Sequence, residues 1–180
     1  MRCMLPRWSA FGKGKAQAPY EFGCKVSIAT PATKPKGGQF ALHAKALHGN
    51  PFDGHTLGPV ITELEQQTGV ETRRIHVDKG YRGHNHKEKF RVWISGQVRR
   101  VTKPIRREMR RRAAVEPVIG HAKAEHRMDR NYLKGRDGDR INAVLAAAGY
   151  NFGLLLRWLA RLLRALFQAL AATSLSVRLA

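Results

Sequence analysis

Two carboxylates stand 38 residues apart in settings suited to phosphate chemistry. Asp78 closes the short apolar run RRIHV (73–77) and opens KGYRGHNH (79–86). An acid at a strand end, ringed by His, Lys, Tyr and Arg, suits a metal ligand, an ion-pair partner or a turn residue. Gly80 and Gly83 favour the turn. Glu116 lies in RRRAAVEPVIGHAKAEHR. Arg112 precedes it by four residues and Lys123 follows by seven, so all three share one helical face. A carboxylate between two cations has the parts for a hard divalent ion and its phosphate ligands. The plainer reading is an Arg–Glu surface pair worth a few tenths of a kcal/mol. Pro117 qualifies the stripe, because a helix that begins anew at Glu116 takes Arg112 off that face. Asp53, in NPFDGHT, precedes a helical pattern and reads as its N-cap.

Charge narrows the partner. The 180 residues carry 33 Lys and Arg against 13 Asp and Glu, a formal charge of +20. Residues 1–70 hold 8 basic and 4 acidic side chains, and 71–180 hold 25 and 9. A chain this basic that is also 43% hydrophobic is a globular binder of polyanions rather than a basic tail, with nucleic acid first and a membrane surface second. The segment 99–112 concentrates the charge in Arg106, Arg107, Arg110, Arg111, Arg112 and three further cations, with Glu108 its one acid.

The elements that must position these groups follow from periodicity. YEFGCKVSIAT (20–30) alternates as a half-buried strand, and QFALHAKALHG (39–49) follows after the hairpin-type loop 31–38. Leu57, Val60, Ile61 and Leu64 give one apolar face to a helix over 55–68. Short strands are expected over 73–78 and 90–97. From Ile105 a basic helical region runs to a break near Pro117. GRDGDR (135–140) then separates it from a last helix over 140–172. The expected architecture is α/β, one small sheet of the 20–30, 39–47 and 73–78 strands covered by helices, with 1–19 irregular and 173–180 a tail.

Other patterns are weaker. HNH (84–86) lacks the surroundings of the nuclease class with that name. HAKAEH (121–126) has one residue too many for a zinc-protease helix and reads as a solvated face. NYLKGRDGDR (131–140) has no phosphate-loop spacing. Cys3 and Cys24 form neither a metal spacing nor a disulfide framework, and Cys24 reads as a small buried hydrophobe in a reducing compartment. The terminal helix, with Leu and Trp beside Arg157, Arg161 and Arg164, suits an interfacial membrane helix or a core helix, and core is the reading preferred.

VDKGYRG followed by RRRAAVEPVIGHAKAEHRM resembles the DDE transposases of bacterial insertion sequences, in the group that includes insertion sequence five. Asp78 matches the family's second catalytic Asp. Arg112, Glu116 and Lys123 match its Y-x2-R-x3-E-x6-K signature, with Met109 in the Tyr position. The resemblance implies a partial ribonuclease-H-like fold of the retroviral-integrase superfamily over 20–172, with the first strand missing. It further implies Mg²⁺ or Mn²⁺ on Asp78 and Glu116, and phosphates met by Lys79, Arg82, Arg112 and Lys123. Implied partners are transposon ends and target DNA, a homo-oligomer on that DNA, and no membrane, in the cytoplasm with the nucleoid. No acid precedes the 20–30 strand to fill the family's first Asp, and Asp53 is the one internal stand-in. The expectation is therefore a truncated, inactive copy. A non-catalytic nucleic-acid-binding protein is the alternative.

Overall fold

The computed structural model describes residues 10–15, 18–22, 24–33, 35–88 and 91–178. The order is β1 (Ala10–Lys15), β2 (Ala18–Phe22), β3 (Lys25–Ala29), β4 (His43–Leu47), α1 (Asp53–Thr68), β5 (Ile75–Val77) and β6 (Val92–Ile94). Then come α2 (Lys103–Arg111), α3 (Val115–Ala124) and α4 (Gly135–Arg178). This is a mixed α/β arrangement, as the alternation and the later helical periodicity imply. The strands form three separate two-stranded sheets rather than one: β1–β2 and β3–β4 are antiparallel, β5–β6 parallel.

Four expectations change. Residues 10–15 are not irregular but pair with 18–22, because a ladder can form through backbone groups alone even in a Gly- and Lys-rich segment. The strand expected over 20–30 is divided between two hairpins, β2 ending at Phe22 and β3 starting at Lys25. Residues 39–42 lie outside the second strand, which begins at His43. GRDGDR is not a separator but the first turns of α4. Gly138 permits this, since a Cβ there would lie 2.6 Å from the Leu133 carbonyl carbon.

Two small cores hold the pieces. Leu57 and Ile61 of α1 pack on Val77 and Val92 of β5 and β6. Truncating Leu57 or Ile61 to Ala would cost about 2–5 kcal/mol. The second core joins Ala41, Val118, Ala147 and Tyr150. Small residues let α4 lie close to the β4 hairpin, and Asn151 completes the join. Its Nδ2 donates to the Ala41 carbonyl at 2.8 Å and its Oδ1 accepts from the Ala41 N–H at 2.9 Å. The side-chain amide thus satisfies both backbone groups of Ala41, just before β4.

The expectation that the terminal helix is core holds only for its first half. Beyond Leu154 the described side chains are exposed, among them Trp158, Leu162, Leu166 and Phe167. Gly135–Ala172 is long and apolar enough to span a bilayer by length and composition.

Candidate functional site

Asp78 follows the last residue of β5 and caps the 3₁₀ turn Lys79–Tyr81, its Oδ1 accepting from the Lys79 N–H at 2.7 Å. The turn reading is therefore realised. The same oxygen lies 3.9 Å from Nη2 of Arg112, and that nitrogen lies 3.8 Å from Oε1 of Glu116. Both acids are thus within about 8 Å of each other, the reach of two groups that flank a pair of metal ions. They are open to solvent, with 61% and 69% of their side chains exposed, whereas Arg112 is 24% exposed.

Local sequence explains how Arg112 keeps Glu116. Pro117 has no N–H to give the carbonyl four residues back, and its ring crowds that turn. The chain answers with a 3₁₀ turn over Arg112–Ala114 between α2 and α3, without losing its helical sense. Glu116 falls in the first turn of α3, where the helix dipole favours an acid. The break near Pro117 and the Arg112–Glu116 pairing thus coexist.

Asp53 is not an N-cap. Phe52 holds that position without a side-chain cap, and Asp53 is the first residue of α1. Its carboxylate pairs with Lys25 and lies against Gly80, so close that a Cβ on Gly80 would sit 2.7 Å from Oδ2. Asp53 therefore reaches the turn that carries Asp78. Tyr81 stands between them, its phenol pushed above the ordinary range chiefly by burial, then by the Asp53 charge.

The other predicted residues are dispersed. Lys79 and Arg82 lie exposed on the turn, and Arg106, Arg107 and Arg110 lie exposed along α2. Arg111 is half-buried. Lys123 sits in the last turn of α3 and lines a small separate pocket with Glu125, Arg127 and Asp129. His121 and Glu125 form an exposed i,i+4 pair, as a solvated face requires, and the His121 hydrogen bond lowers the Glu125 pKa.

Sequence reasoning missed Glu108. Its carboxylate holds His76 at 3.0 Å and Arg74 at 3.1 Å, fastening α2 to β5. It also missed a cavity of about 660 Å³ beside Asp78. Val26 to Thr30 and Arg74 to Asp78 line this cavity as consecutive residues. A strand that turned a face to it would contribute alternate residues only, so β3 and β5 present their edges. Among the described residues each has a hydrogen-bonded strand on one side alone.

Residues 72–156 match the family described as transposase DDE domain. No curated protein and no solved structure matches the chain. The match spans Asp78, Arg112, Glu116 and Lys123 and supports a DDE transposase, a class that acts on DNA and typically uses divalent metals.

Proposed function

We propose that this chain carries part of the catalytic site of an insertion-sequence transposase, with Asp78 and Glu116 as its metal-binding carboxylates. The reaction class is cleavage and transfer of DNA strands at transposon ends and target, with Mg²⁺ or Mn²⁺. The observation that supports it most is the meeting of Asp78 and Glu116 on one guanidinium, inside the matched segment. When bound, the ions supply activation of water or a 3′-hydroxyl and stabilisation of the leaving oxygen. The protein's own part is electrostatic. Asp78 and Glu116 offer exposed oxygens, while Lys79, Arg82 and the α2 arginines hold phosphates. Arg112 balances the two acids until a cation and DNA divide that task.

The fold we assign is ribonuclease-H-like. One further strand between the edges of β3 and β5 would join both sheets and end beside Asp78. We assign the third carboxylate to such a strand, which the described residues do not contain. Asp53 is a poor substitute, being tied to Lys25. On this reading the described residues are short of one strand and one acid, and these 180 residues alone are inactive. The exposed apolar half of α4 suits self-association on DNA. Arg157, Arg161 and Arg164 recur through it and argue against burial in lipid.

Plasmid nicking in Mg²⁺ and Mn²⁺ tests the proposal. The expected result is DNA binding without nicking. Nicking that disappears in Asp53→Ala would make Asp53 the third carboxylate and overturn the inactive reading. DNA binding by the parent chain that neither Mg²⁺ nor Mn²⁺ changes would favour the non-catalytic binder.

A further inference from the structure

We propose that Cys24, His48 and Asp139 form a zinc site that fastens the open end of the β3–β4 hairpin to α4. None of the three belongs to the Asp78–Glu116 pair. Cys24 stands immediately before β3 and His48 immediately after β4, and the adjacent Lys25 and Leu47 are register partners. The two side chains therefore leave neighbouring strands at the same end. Asp139 arrives from the second turn of α4.

Their ligand atoms, one sulfur, one imidazole nitrogen and one carboxylate oxygen, all lie within 4.8 Å of one another. Nε2 of His48 is 3.3 Å from Oδ2 of Asp139. Yet that buried nitrogen has no aligned hydrogen-bond partner. Two atoms that close but not aligned suit convergence on a third. A tetrahedral ion with bonds of about 2.0–2.3 Å spaces its ligands roughly 3.3–3.8 Å apart, with a sulfur–nitrogen or sulfur–oxygen edge of about 3.5 Å, so the His–Asp edge is already formed and the sulfur needs to close by roughly 1.3 Å at most.

The carboxylate is already oriented. Nδ2 of Asn131 donates to Oδ1 of Asp139 at 2.8 Å, which fixes the group and leaves Oδ2 for an ion. Burial and then the Asp139 charge raise the Cys24 pKa in the absence of a cation. A divalent ion reverses that balance, since the thiol proton leaves to solvent as the S–metal bond forms. The donor set selects the metal. Thiolate with imidazole and carboxylate in tetrahedral array suits Zn²⁺, whereas Mg²⁺ and Mn²⁺ prefer oxygen ligands. Water takes the fourth position. All three side chains are only partly buried, so an ion has access.

The test uses the full chain, stripped with EDTA and titrated with Co²⁺ as the spectroscopic probe. The expected result is a tetrahedral visible spectrum with a thiolate-to-cobalt charge-transfer band, displaced by Zn²⁺. Zn²⁺ should raise Tm by several degrees and bind more tightly as pH rises. Cys24→Ser should abolish the band, as should Cys24→Val, which keeps a small apolar group for packing. Asp139→Asn should weaken Co²⁺ at least about tenfold. Asp78→Asn should leave the spectrum unchanged, which separates this site from the proposed catalytic one. No charge-transfer band, or one that survives Cys24→Val with Cys3 as its source, overturns the proposal.

Discussion

Two acid–arginine clusters lie on the same helical stretch and differ in how they are held. Glu108 is 19% exposed, contacts Arg74 at 3.1 Å and reaches His76, itself 5% exposed. Glu116 and Asp78 are mostly exposed and share Arg112 at 3.8 and 3.9 Å. The first cluster has short contacts around a buried imidazole, although Arg74 is 48% exposed, and removal of Glu108 leaves the His76 ring without that partner. The second has long contacts in water, where an ion pair contributes little to stability. Acids that fasten a fold are therefore distinguishable from acids open to a ligand, and on the proposed reading Asp78 and Glu116 belong with the latter.

This contrast ranks the expected outcomes. Glu108→Ala should have the largest effect, a loss of about 1–3 kcal/mol in urea unfolding as the buried His76 loses its partner. A loss under about 0.5 kcal/mol would erase the contrast. Next comes DNA affinity. Replacing Arg106, Arg107, Arg110 and Arg111 by Ala should flatten the dependence of log K on log salt by up to about 0.9 per lost contact. Weaker binding at an unchanged slope would mean that α2 does not meet phosphates. Asp78→Asn with Glu116→Gln should shift stability by less than about 1 kcal/mol, with DNA binding equal or tighter because repulsion falls. A large loss of stability there would return both acids to a structural role.

The smallest effect concerns pH. The hydrogen bond from Lys45 lowers the Glu63 pKa below the ordinary Glu range. A depressed carboxylate contributes stability that is present above its unfolded value and is lost as pH falls through its folded value. Thermal unfolding of Glu63→Gln should therefore lose less stability than the parent on acidification below about pH 4.5. Parallel curves would remove Glu63 from the acid response.

Local chemistry was legible in the residues themselves, whereas closure between distant segments was not, and the meeting of Asp78 with Glu116 was expected only through the family resemblance. Alternation and spacing located α1 and the short strand before Asp78, and the i,i+4 step paired Arg112 with Glu116. No local pattern states that Arg112 also faces Asp78, because that contact depends on how α2 docks on β5 through Glu108. Asp53 read as a cap because helix-start signals are local, whereas its approach to Gly80 depends on a residue without a Cβ. The nearness of Cys24 to His48 and Asp139 was out of reach for the same reason, since those residues come from other elements. Separate sheets were not foreseeable, as alternation marks a strand without naming its neighbour.

The most direct test of the central claim is Mn²⁺ binding followed by electron paramagnetic resonance, with the full chain alone and with a short DNA duplex. Two acids among Lys79, Arg82 and Arg112 are too few negative charges to hold ions unaided, so the account predicts weak binding alone and tighter binding when DNA phosphates join. Asp78→Asn with Glu116→Gln should abolish the DNA-dependent gain while DNA binding persists. Mn²⁺ binding to that variant equal to the parent's, with and without DNA, would contradict the assignment of Asp78 and Glu116 as the metal-binding pair.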